Sequence, residues 1–196
     1  MSRKAWDQLV STAAVVIAVV LVLMGAAAIY GGNFGRSNVK DRLAPENVTF
    51  APYDAMTPEE QATVGDFAGQ QVTTGPQAEA FAEYIAGHLA FVNDGKTYAE
   101  TSAAARAEGL DPKTAAELQA KADVLFKGET LRSIMLNAYG WWTVATIAFW
   151  AGIVMVVAGI VLFILAIFGF RHAKKAEEQR VAEAPLTTKE YAPTNA

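Results

Sequence analysis

Two apolar runs without a single charged residue constrain this chain more than any other feature. They cover residues 9–30 and 133–170. A hydrocarbon layer roughly 30 Å thick takes about 20 apolar residues as a helix, and both runs reach that length. Lipid offers a peptide group no hydrogen-bond partner, so a run crossing it must close its bonds internally, as helix. The expected fold is an all-α membrane protein. Two transmembrane helices, residues 9–30 and 139–170, flank a small extracytoplasmic helical domain at residues 31–138. Residues 1–8 precede the first span, and a tail at 171–196 follows the second.

Charge sets the expected orientation. Arg171, His172, Lys174 and Lys175 follow the second run, and Arg3 and Lys4 precede the first. Basic residues at span ends are retained on the cytoplasmic side. Arg36, Lys40 and Arg42 nearly balance that count, but loops longer than about 60 residues cross largely regardless of charge. Both termini are therefore expected in the cytoplasm, with the protein in the plasma (inner) membrane and the middle segment outside. A cleaved signal peptide is the other reading of the first run, with Ala26-Ala27-Ala28 as a small-residue cleavage site. Its 22 apolar residues are long for such a segment, and either reading exports the middle domain.

Residues 32–139 carry nine Lys or Arg against fifteen Asp or Glu, a net charge of 9 − 15 = −6. That balance argues against nucleic acid, which needs a basic patch. The chain has no cysteine, which excludes disulfides, thiolate catalysis and cysteine-bound zinc. It has two histidines, His88 and His172, on opposite sides of the second run, so no pair of imidazoles can share a metal. Neither run holds an intramembrane charge, the usual mark of a transporter or proton path. Gly31-Gly32-Asn33-Phe34-Gly35 lacks the lysine of a phosphate-binding loop. No enzyme, cofactor or metal is expected.

Between the runs, residues 31–75 read as mostly irregular, with one extended candidate at 47–51. Thr57-Pro58-Glu59-Glu60 has the form of a helix start, with a cap, Pro at the first position and acids in the first turn. Pro76 opens a helix with an apolar stripe through Phe91, and Asn93-Asp94-Gly95 stops it. Thr97 caps an Ala-rich helix ending at Gly109. Asp111-Pro112 starts another that Gly128 should interrupt. Thr130 should then begin the last helix, broken near Gly140 or standing partly outside the bilayer, with Glu129 at its N-terminus. The tail after Ala173 turns polar and is expected to be disordered.

Candidate site residues come from interface chemistry. Arg132, Tyr139, Trp141 and Trp142 are of types enriched at protein interfaces, and could alternatively fix the outer domain to the last helix. Gly25 to Ala28, and Gly152 with Gly159 one heptad on, offer faces that allow close helix approach. Three polar stretches look specific: Val72-Thr73-Thr74-Gly75-Pro76-Gln77-Ala78, Gly95-Lys96-Thr97-Tyr98-Ala99-Glu100, and residues 125–142. On these the chain resembles a family of uncharacterised two-span actinobacterial membrane proteins, over about two thirds of its length. Some members carry an aromatic-ring-opening dioxygenase label, which the histidine count of this chain contradicts.

The leading functional expectation is a non-catalytic accessory or assembly subunit that docks on a larger envelope complex or self-associates. Its partners are membrane lipid and a protein partner or homo-oligomer. A second expectation is a lipid- or quinone-binding pocket among Tyr84, Leu89, Leu125 and Leu136. A third is a homo-oligomeric channel.

Overall fold

The computed structural model describes residues 3–182. Helix α1 spans Arg3–Leu43, α2 Pro58–Val64, α3 Gly75–Val92, α4 Tyr98–Ala105 and α5 Pro112–Ala182. Short 3-10 turns at Ala44–Glu46, Tyr53–Ala55 and Gly65–Phe67 link the early elements. No strand forms among the described residues; the extended candidate at 47–51 makes one antiparallel bridge, Thr49 to Gln71. Phe50 N donates to Gln70 O at 3.0 Å and Val72 N to Val48 O at 2.8 Å, which satisfies backbone groups that no helix takes up. Helices α1 and α5 are each long and apolar enough to cross a membrane.

The described chain divides into two units, one of Met1–Ala28 with Ala151–Ala196 and the other of Ile29–Trp150. In the first, the two helices meet through small residues. Ser11, Ala18 and Gly25 are the buried positions of α1, seven residues apart, and Gly152, Gly159, Ala166 and Ala173 are those of α5, also seven apart. The helices run antiparallel. A Cβ on Gly25 would lie 2.7 Å from Gly152 O, and one on Gly159 would lie 2.9 Å from Ala18 O. A strict seven-residue repeat keeps one seam facing its partner, and small side chains on it let the backbones close in. Large residues are pushed outward: Leu23 is 65% exposed and Val154 66%.

The second unit has a conventional core. Phe50, Val64, Val72, Phe81, Ile85, Leu89, Leu125 and Met135 are buried together with Val39 and Leu43 from the end of α1. Phe50 stacks on Phe67 and meets Phe81 edge-on at 5.2 Å. Capping boxes at Thr57/Glu60, Thr74/Gln77 and Thr97/Glu100 start α2, α3 and α4. Each satisfies orphan amides that the first helical turn cannot bond itself.

Three expectations are corrected. Residues 31–43, read as irregular, continue α1. Their polar side chains bond along the helix, Arg36 to Asn33 at 2.8 Å and Arg42 to Asn38 at 2.9 Å. Gly32 is a notch in it, since a Cβ there would meet Ala145 O at 2.6 Å. Neither Gly128 nor Gly140 breaks α5. Gly128 instead receives Leu89, whose Cδ2 would stand 2.5 Å from an added Cβ, and this packing offsets the roughly 1 kcal/mol that glycine costs a helix interior. Glu129 is accordingly mid-helix and pairs with Arg132 at 3.5 Å rather than capping a terminus. Finally, residues 171–182 of the tail are helical, while 183–196 lie outside the described residues.

Candidate functional site

The C-terminal stretch of α1 and the facing stretch of α5, both within the Ile29–Trp150 unit, leave an open groove between them. Its cavity measures about 990 Å³. Phe34 and Val39 come from α1, Ile134, Trp141 and Val144 from α5, with Arg42 and Asn137 among its polar groups. The glycines explain why α1 can face α5 here at all. Gly32 and Gly35 both sit against Ala145, so the backbones approach where side chains would hold them apart. Beside this contact Arg36 lies over the Phe149 ring at 4.3 Å, an arrangement that keeps a guanidinium on an apolar face. Phe34 is 62% exposed and Trp141 64%, although both are large and apolar.

The residues expected to dock a partner are thus split apart. Trp141 faces the groove. Trp142 turns the other way and packs on the core, filling the space above Gly75, where an added Cβ would stand 2.5 Å from the Trp142 Cβ. Arg132 is held by Glu83 at 3.8 Å and Glu129 at 3.5 Å, with its Nε buried and unbonded. Tyr139 is half-buried and outside the groove lining. Gly152 and Gly159 belong to the other unit, where the first helix of the same chain covers them.

The pocket expected among Tyr84, Leu89, Leu125 and Leu136 does not form. Leu89 and Leu125 are buried in the core and Leu136 is exposed, because α3 packs directly into the Gly128 notch. Tyr84 instead lines a smaller cleft of about 590 Å³ between α2 and α3, with Glu59, Glu60, Glu83 and His88. There His88 Nδ1 stands 3.2 Å from Glu60 Oε1, a pairing of two helices that no sequence spacing announces. Burial, and then the Glu60 carboxylate, push the Tyr84 hydroxyl above its ordinary value. Among the described residues no group of three or more His, Cys, Asp or Glu is placed to hold a metal.

The three polar stretches turn out to fasten the fold. Gln77 Oε1 accepts from Thr73 N at 3.0 Å, Thr74 N at 3.1 Å and the Thr74 hydroxyl, and its Nε2 donates to Gln70 Oε1. Gln71 Nε2 donates to Ala44 O at 2.6 Å, tying α3's approach to the end of α1. Buried Asn93 donates to Lys96 O and to the Thr101 hydroxyl, closing the α3–α4 turn. The α1 half of the groove was not foreseen; its signal is the pair Gly32 and Gly35, one helical turn apart and interleaved with Phe34. No protein-family model, curated protein or solved structure matches the chain.

Proposed function

We propose that this chain is a non-catalytic integral protein of the plasma membrane, with both termini in the cytoplasm and residues 31–138 folded outside. It would act as an accessory or assembly subunit, docking on a larger envelope complex or on further copies of itself. The observation that carries this reading is the open groove of Phe34, Ile134, Trp141 and Val144, mostly apolar, with Asp41, Arg42 and Glu46 among its lining residues. Exposed apolar patches of this kind mark interaction sites, and aromatic anchors near the centre of an interface carry most of its energy. The outward-facing Leu23, Val154 and their neighbours support the membrane placement, since water would not tolerate a continuous apolar surface around two helices. The resemblance to two-span membrane proteins fits the same reading.

A groove of about 990 Å³ also reaches the upper end of small-molecule pockets, roughly 300–1,000 Å³, which favours a lipid or quinone as the second reading. Phe34→Glu and Trp141→Glu separate the two. The protein is extracted from native membranes in mild detergent, and both its co-purifying proteins and its bound lipids are identified. Loss of one defined protein complex in the variants supports docking. Loss of a bound small molecule with the protein complex intact supports the second reading, and no change in either removes the groove from both.

A further inference from the structure

Within the unit of Met1–Ala28 and Ala151–Ala196, the start of α1 and the end of α5 form a wide, open cleft of about 1160 Å³. Val10, Phe168 and Gly169 form its apolar side, continuous with the uncharged runs. Arg171, His172, Lys174 and Lys175 line its polar side together with Asp7 from α1 and Glu178 from α5 itself. Cleft and charge together describe an amphipathic ligand: chain on one side, headgroup on the other. Among the described residues the polar lining is mixed, with three fixed cations, His172 and Ser11 beside two carboxylates, so a purely anionic headgroup would meet repulsion as well as attraction. One Asp7 carboxylate oxygen is also buried with no hydrogen-bond donor among the described residues, and such a group is costly until it acquires one.

From this we propose that the cleft binds a zwitterionic aminophospholipid, of the phosphatidylethanolamine type. The phosphodiester lies against Arg171 and Lys174, the ammonium is taken by Asp7 after a turn of its side chain, and an acyl chain follows Val10 and Phe168. The guanidinium suits the phosphate because it presents paired donors to paired oxygens. Trp6, 56% exposed at the rim, is of the type that settles at headgroup level. The inference rests on the membrane reading above, because a free-standing soluble chain would have no bilayer to draw this ligand from.

The test uses the full-length protein, purified in mild detergent and exchanged into mixed micelles of phosphatidylethanolamine and phosphatidylglycerol in equal amounts. Bound lipid is read by native mass spectrometry. The wild type should retain phosphatidylethanolamine preferentially. Arg171→Gln with Lys174→Gln should lower its retention by about a hundredfold, roughly tenfold for each charge-assisted hydrogen bond removed. Asp7→Asn should erase the preference while leaving total lipid bound. Equal retention of both lipids by the wild type overturns the proposal, as does equal retention by the double variant and the wild type. Displacement by millimolar inorganic phosphate alone would likewise overturn it, showing a phosphate site and not a lipid site. An alkaline wash of native membranes keeps the two levels of inference apart. Release of the protein sinks the membrane reading itself, whereas a membrane-retained protein indifferent to lipid sinks only the headgroup site.

Discussion

Replacing Ser11 and Gly169 by cysteine should staple α1 to α5. A Cβ built on Gly169 stands 3.5 Å from the Ser11 Cβ, at the short edge of the roughly 3.5–4.5 Å window of real disulfides. The native chain has no cysteine, so any oxidation product belongs to the introduced pair. The closed loop would span 158 residues (169 − 11), and the chain-entropy model gives such a loop about 5 kcal/mol as an upper bound on stabilisation. In practice the gain is expected to be smaller, because engineered disulfides rarely deliver the full entropic value. The assay is mild oxidation in native membranes, followed by non-reducing gel electrophoresis. A monomeric band of altered mobility should appear, with increased resistance to unfolding as SDS is titrated into mixed micelles. Ser11→Cys with Gly159→Cys is the register control, since ten residues along α5 displace the second thiol by about 15 Å. Equal cross-linking of both pairs would refute the antiparallel register, and a disulfide found only between two copies would refute the pairing within one chain.

Gly25→Leu should destabilise the helix pair by about 1–3 kcal/mol or more, because its side chain must displace the backbone at Gly152. Ala27→Leu, at an exposed position two residues on, should change the SDS unfolding midpoint little. Asn93→Ala should cost about 1–3 kcal/mol in thermal unfolding of the outer unit, since Lys96 O and the Thr101 hydroxyl lose their partner in a buried turn. Hydrogen bonds from the Thr97 backbone hold the Glu100 carboxyl below its ordinary 4.5, and the Thr114 hydroxyl and backbone do the same for Asp111 below 3.8. Both folded values are lowered, so their stabilisation is complete above the ordinary carboxylate range and is lost as pH falls below it. Glu100→Gln should flatten part of the acid limb of a stability-versus-pH curve; an unchanged limb would show that the cap contributes nothing to it.

The helical class and the two long apolar helices were legible because both follow from local composition. So were the starts of α2, α3 and α4, where Thr with Glu or Gln three residues on marks a capping box. What could not be read was which face meets what. Gly152 and Gly159 stand out in sequence as a close-approach face, yet nothing in one helix says that Ala18 and Gly25 of the same chain cover it. The repeat of Ser11, Ala18, Gly25 and Gly32 was available, but a seam of small residues produces no contrast of hydropathy to notice. Gly31-Gly32 looked like a helix end because glycine disfavours helix interiors; tertiary contact with Ala145 overrides that preference. Trp141 and Trp142 are adjacent and identical in type. Only Gly75, 67 residues earlier (142 − 75), distinguishes the half-buried one, packed on the core, from the exposed one.

The contact between Gly32 and Ala145 also has a biosynthetic side. The groove's two walls are separated by 113 residues of chain (145 − 32), and the first wall leaves the ribosome long before the second exists. At roughly 5–20 residues per second, Gly32 and Gly35 wait about 6–23 s for the stretch of α5 around Ala145 that packs on them. During that interval the C-terminal part of α1 is a bare, glycine-notched strip with an aromatic beside it, open to any other helix of suitable shape. A chaperone or a pre-existing assembly partner would find its best opportunity there, before the chain can close upon itself.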